Sequence, residues 1–147
     1  MAPRKHRFRI VLDTNIIVAF LLDSGRPSAV NGVIRLWRDI RLIQLIVSEA
    51  VIAEYLEVAR RLNIDELAVE RFAQRLRFHS TVTHVNLGPR IVASRDPADD
   101  LMLSTARAGR VEYLITYDRD LLEISQERRK AFRFQSVRPG EFLRQVK

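Results

Sequence analysis

The sequence predicts an α/β fold with a mostly parallel sheet that helices cover on both faces. Short apolar runs of strand length alternate with helix-period segments along the chain, and two of those runs have an aspartate just beyond them. A length of 147 residues, 47% apolar and 29% charged, fits a globular chain that buries a core unaided. No repeat, low-complexity tract or linker divides it, so residues 1–147 are expected to form one domain with a basic tail over 1–8.

Arg9 to Leu12 reads as a buried strand running into Asp13, after which Thr14 and Asn15 supply capping chemistry for a helix through Ile16 to Leu22. Asp23 to Pro27 is a turn, Ser28 to Trp37 has helical spacing, and Leu42 to Val47 is the next buried strand. Ser48 is a candidate N-cap for a helix to about Arg61, and Ile64 to Phe78 continues as a second helix on Leu67, Phe72 and Leu76. Thr81 to Val85 has the β-branched content of a short strand, and Asn86 to Arg95 is loop. Asp96-Pro97 opens a helix that Gly109 closes. Tyr113 to Thr116 is a strand, Tyr117 to Ile124 a turn and short helix, Phe132 to Val137 the last strand, and Pro139 to Val146 a closing helical segment.

Composition narrows the chemistry. Cysteine is absent, and the spacing of His6, His79 and His84 matches no zinc motif. No apolar run is long enough to span a membrane. The best signal-peptide candidate, basic Met1 to Arg9 followed by Ile10 to Leu22, is interrupted by Asp13 and Asn15, which predicts a cytoplasmic protein. A formal charge of +7 suits a polyanionic partner, an acidic protein, or solubility alone.

In open α/β sheets ligands bind beyond the carboxyl ends of the strands, so carboxylates there are the candidates for chemistry. Asp13 follows the first strand, where it is either a ligand or a helix cap. Asp118 follows Tyr113 to Thr116 in the same relation. Two acids at one edge repel unless they share a cation. Asp99 shares a helical face with Met102, Leu103 and Ala106 and should point at the sheet, although a first-turn aspartate also suits the helix dipole. Asp100 shares its face with Ser104 and Arg107 and is expected to face solvent, and Asp96 is the expected N-cap. Glu54 falls on the apolar side of its helix, near Ala50, Val51 and Val58, whereas Glu49 and Glu57 read as surface charges. Four convergent carboxylates without histidine or cysteine make a hard oxygen site suited to Mg²⁺ or Mn²⁺ and to phosphodiester hydrolysis.

The ordered set Val11-Leu-Asp-Thr-Asn15, Ser48 with Glu54, Asp96-Pro-Ala-Asp-Asp100 and Leu114-Ile-Thr-Tyr-Asp-Arg-Asp-Leu121 resembles the PIN-domain family, especially the VapC-like toxins of toxin–antitoxin systems. The resemblance implies a three-layer α/β/α sandwich and Mg²⁺- or Mn²⁺-dependent cleavage of single-stranded RNA by activated water, leaving a 5′-phosphate and a 3′-hydroxyl. By position, Asp13, Glu54, Asp99 and Asp118 match the acidic cluster as catalytic and metal-holding residues. Thr14, Asn15 and Thr116 match its polar companions, and Asp120 is an additional acid that some relatives carry. Arg26, Arg95 and Arg119 are candidate phosphate contacts. A homodimer and an inhibiting antitoxin are also implied.

Other readings fit less well. A haloacid-dehalogenase-type phosphatase needs a second aspartate two residues after the first, and position 15 is asparagine. A response-regulator receiver needs a late lysine after a strand, and Lys130 precedes the last one. A module of the same fold that binds nucleic acid or protein without turnover stays open.

Overall fold

The computed structural model describes residues 6–23, 25–88, 96–127 and 129–146, with backbone only at 125–127, 129 and 130. In chain order the elements are β1 (Phe8–Leu12), α1 (Thr14–Leu22), α2 (Ala29–Arg38), β2 (Ile43–Val47), α3 (Glu49–Arg61), α4 (Glu66–Arg75), β3 (Val82–His84), α5 (Pro97–Ala108), β4 (Tyr113–Ile115), α6 (Arg119–Glu127), α7 (Arg129–Phe132), β5 (Gln135–Val137) and α8 (Pro139–Gln145). The strands form one sheet in the order β3-β2-β1-β4-β5, with every neighbouring pair parallel.

Successive strand residues point to opposite faces. Ile10, Val11 and Leu12 are each 0% exposed, as are Leu45, Ile46 and Val47, so both faces of the central strands are covered. That is the expected α/β/α arrangement. On one set of contacts α5 lies on β1 and β2 and packs against α3, which in turn meets α1 and α4; on another, α2 lies on β2 and against α8.

Strand order also locates the site. The chain steps outward from β1 to β2 to β3, then returns to place β4 on the other side of β1. The crevice beyond the carboxyl ends of β1 and β4 is therefore the topological switch point. Asp13 and Asp118 follow those two strands.

Helix caps agree with the sequence chemistry. Ser28, Ser48, Asp65 and Asp96 each accept a backbone N–H at the start of α2, α3, α4 and α5. Several expectations need correction. β1 begins at Phe8, whose N–H donates to the Leu42 carbonyl at 2.8 Å, so the presumed tail is one residue shorter. The last strand is only Gln135–Val137: Phe132 closes α7, and Arg133 turns the chain at φ 58° before Phe134. Gly109 does close α5, but at φ −84° it is not the left-handed residue; Arg110, at φ 49°, is. Glycine is required at 109 because a Cβ there would come within 2.3 Å of Ile46 Cγ2. Asp100 is half-buried rather than solvent-facing, because α5 is covered nearly all round: Ser104 on the supposed outer side is as buried as Leu103. Much of the Asn86 to Arg95 loop, residues 89–95, lies outside the described residues.

Candidate active site

Asp13 is a helix cap that also stands at the candidate site. It ends β1, is only 7% exposed, and its Oδ1 accepts the Thr14 N–H at 2.8 Å to start α1. Its Oδ2 accepts the Thr116 hydroxyl at 2.6 Å. Burial holds its carboxyl above the usual range, opposed by those two hydrogen bonds and reinforced by the charges of Asp118 and Glu54.

Thr116 joins the two strand ends. Its N–H donates to the Val137 carbonyl at 3.0 Å, and its hydroxyl, while donating to Asp13, accepts the Asp118 N–H at 2.9 Å. Asp118 Oδ1 then accepts the Asp120 N–H at 2.8 Å, which turns the chain into α6. A single buried hydroxyl thus fixes the spacing between Asp13 and the Asp118 turn.

Asp99 enters from the first turn of α5, behind the cap formed by Asp96. It is 4% exposed, on the same side as Met102, Leu103 and Ala106, as helical spacing predicted. Its carboxyl is pushed up to about 7, first by burial and then by the charges of Asp118, Asp96 and Asp13. One carboxylate oxygen from each of Asp99, Asp118 and Asp120 lies within 4.8 Å of the others. Three acids at that separation, one of them buried, form a site whose repulsion a divalent cation would relieve. Among the described residues no histidine joins the group.

The close group differs in membership from the four carboxylates picked from sequence. Asp99 and Asp118 are in it, and Asp120, expected only as an accessory, completes it. Asp13 stands beside it with both oxygens hydrogen-bonded, close enough to act electrostatically on Asp99. Glu54, half-buried in α3, acts on Asp13 in the same way.

The companions divide similarly. Thr14 Oγ1 is buried with no hydrogen-bond partner among the described residues, while exposed Asn15 accepts the Tyr117 N–H through Oδ1 at 3.5 Å, a weak contact. Ser48 caps α3 and also shares a 3.0 Å hydrogen bond with Thr105 of α5, tying together the helices that carry Glu54 and Asp99. Arg119 is exposed at the start of α6, next to Asp118. Arg26 lies beyond the far end of α1, about 13 Å of helix from Asp13, and pairs with Asp23 at 3.2 Å. Arg95 falls outside the described residues.

Sequence reasoning missed Tyr55. The Asp13 N–H donates to the Ile115 carbonyl of β4 at 2.9 Å. A trans peptide aims its carbonyl the opposite way from its N–H. The Leu12 carbonyl therefore points toward β2, yet β1 and β2 pair only through Phe8, Arg9 and Ile10. The buried Tyr55 hydroxyl donates to that carbonyl in place of a strand. It links α3, one residue from Glu54, to the strand that ends in Asp13. Burial, and secondarily the charge of Asp13, raises the Tyr55 phenol above its usual range, so it remains a donor. A tyrosine inside an apolar helix face was the available signal, since a buried phenol needs a partner.

Comparison with known proteins gives two findings. A family model described as PIN domain matches residues 9–120, a span that runs from Arg9 in β1 to Asp120 and holds every carboxylate of the candidate site. Among solved structures, the chain is similar to VapBC2 from Rickettsia felis, crystallised with a DNA fragment from its promoter, with a TM-score of 0.54 and 14% identity over 88% of this chain and 98% of that one. At that identity the likeness concerns the fold. Curated proteins gave no match. Because the family model covers most of the sequence, including both strands that frame the acidic crevice, the chain belongs to the PIN-domain family.

Proposed function

We infer that this protein is a Mg²⁺- or Mn²⁺-dependent endoribonuclease that cleaves single-stranded RNA, acting as the toxin of a toxin–antitoxin pair in the cytoplasm. The observation that carries the reading is the Asp99, Asp118 and Asp120 group at the switch point, with Asp13 beside it and Glu54 acting on Asp13 in turn. Nuclease activity is the general property of the family, and the acid set present here is what that chemistry requires.

The donor set fits a hard divalent cation. All the candidate ligands are carboxylate oxygens, and Asp99 keeps its proton up to about pH 7 while no cation offsets its neighbours. Asp99, Asp118 and Asp120 would hold the ion, with Asp13 and Glu54 adding negative charge toward it. When bound, the ion supplies Lewis acidity: it makes a water nucleophilic and neutralises charge growing on the phosphodiester. The protein's own part is positioning. Thr116 holds Asp13 and the Asp118 backbone at fixed separation, the Ser48–Thr105 and Tyr55–Leu12 hydrogen bonds hold α3 against α5 and β1, and Arg119, exposed next to Asp118, would supply a cation for phosphate.

The toxin assignment rests on the motif resemblance and on likeness in fold to VapBC2. With it come a homodimer and an antitoxin as partners. A groove of about 420 Å³ between α1, α2 and α4 offers an apolar floor of Phe20, Trp37 and Phe72 with Arg38, Arg71 and Arg75 around it, which suits an acidic amphipathic segment of such an antitoxin.

The deciding experiment is incubation of purified protein with a mixed single-stranded RNA in Mg²⁺ or Mn²⁺, beside a chelator control and the variants Asp13→Asn and Asp99→Asn. Cleavage should need the metal and fall at least 100-fold in both variants, as for removal of groups that act only in the transition state. Cleavage that survives both substitutions would refute the site. RNA binding without any cleavage would favour the non-catalytic module.

A further inference from the structure

An isolated exposed aromatic on a protein surface ordinarily needs no explanation. Tyr117 is different because of where its backbone is held. It is 45% exposed, and of the large exposed apolar residues among the described ones it alone is the chain neighbour of a member of the carboxylate group. On one side is Thr116, fully buried and hydrogen-bonded to Asp13; on the other is Asp118. The three consecutive N–H groups of Thr116, Tyr117 and Asp118 donate to the Val137 carbonyl, Asn15 Oδ1 and Thr116 Oγ1. Tyr117 is therefore carried on a turn braced firmly at Thr116 and Asp118 and weakly at its own N–H, one Cα step of about 3.8 Å from a candidate metal-holding residue.

We propose that Tyr117 is the platform on which an unpaired nucleobase beside the scissile phosphate stacks. The inference rests on the nuclease reading and adds a substrate-binding residue to it. The carboxylates address only the phosphodiester, which is alike in every nucleotide and in paired and unpaired strands. An exposed ring carried on the residue next to Asp118 would add contact with a base face, which an unpaired strand offers and a stacked duplex withholds. Tyrosine suits the task because it presents a large flat surface and has only two side-chain torsions to fix. The braced backbone reduces the ordering cost further. The structure thereby holds a device for choosing single strands that is separate from the metal chemistry, and one that tolerates different bases, since each has a π face.

The test measures binding without turnover. Anisotropy of a fluorescein-labelled single-stranded RNA is followed in an Asp99→Asn background, alone and with Tyr117→Ala, Tyr117→Phe or Tyr117→Leu. Alanine should weaken binding about tenfold or more, phenylalanine less than about threefold, and leucine should resemble alanine. An RNA carrying an abasic site near the cut position should bind the tyrosine protein more weakly than intact RNA does, and that difference should vanish with Tyr117→Ala. In the active protein the alanine change should appear mainly in KM. Equal binding by alanine and tyrosine proteins, full rescue by leucine, or an abasic penalty that persists without the ring would overturn the proposal. Its failure is distinct from failure of the nuclease reading: a parent protein that cleaves RNA while Tyr117→Ala binds normally loses the platform alone, whereas a parent that neither cleaves nor binds RNA loses both.

Discussion

Burying Asp99 beside Asp118, Asp96 and Asp13 makes its ionisation costly, and the direction of the consequence follows from where its proton is held. The carboxyl titrates near 3.8 in an unfolded chain and near 7 in the fold. Between those values the folded protein binds the extra proton, so without a divalent cation this group's contribution is intact below about pH 4 and is lost as pH rises toward 7. Asp13 is raised as well and acts with the same sign. In chelator, the melting temperature should fall between pH 5 and pH 8, and Asp99→Asn should remove much of that fall, raising Tm at pH 8 by about 3 °C or more. Mn²⁺ should stabilise the parent more at pH 8 than at pH 5 and the variant little. An Asp99→Asn protein that melts below the parent at pH 8 in chelator would mean that Asp99 is ionised against an internal partner instead. The position of this residue was legible because helical spacing from Asp99 to Met102, Leu103 and Ala106 selects one face. The role of Asp120 was less so, since it depends on how tightly Thr116 and Asp118 wind the turn before α6.

Strands and helices were legible to the extent that each carries its own signal. Caps at Ser48 and Asp96 and the apolar runs of β1 and β2 are local chemistry, and they appear where expected. Register and close approach are not local. Nothing in the sequence around Gly109 announces that Ile46 of β2 will leave no room for a Cβ at the end of α5, and nothing around Leu12 announces that β2 stops pairing two residues early. Tyr55 matters for that second reason, and Tyr55→Phe tests it. The substitution leaves the Leu12 carbonyl buried without its donor, a loss of about 1–3 kcal/mol, or ~2–4 °C of Tm per kcal/mol. If the tie also sets the approach of α3 to β1, RNA cleavage and the Tm increase produced by Mn²⁺ should both diminish. A lower Tm with an unchanged Mn²⁺ response would confine Tyr55 to holding up the fold.

Across the whole molecule the charge is divided by location. The formal total is +7, yet the switch point gathers Asp99, Asp118 and Asp120 with Asp13 beside them and Glu54 near Asp13. The arginines that outnumber these acids are distributed over the helices and turns, many of them exposed, as at Arg35, Arg61, Arg71, Arg77, Arg107 and Arg119. An RNA strand would thus be drawn by the general surface and admitted to the crevice only where a cation offsets the carboxylates. Two features of its binding should then separate. The electrostatic part releases counterions: if about four phosphates are neutralised, log K should fall with log salt at a slope near −3, or about 50-fold between 50 and 200 mM. Stacking on Tyr117 releases none. Titrations of single-stranded RNA across that salt range should therefore give parallel lines for the tyrosine and alanine proteins, displaced in affinity and equal in slope, while replacing Arg119 with glutamine should make the line shallower by about 0.7. Binding that does not respond to salt would assign the basic surface to another partner, with an acidic antitoxin segment the chemistry it best fits.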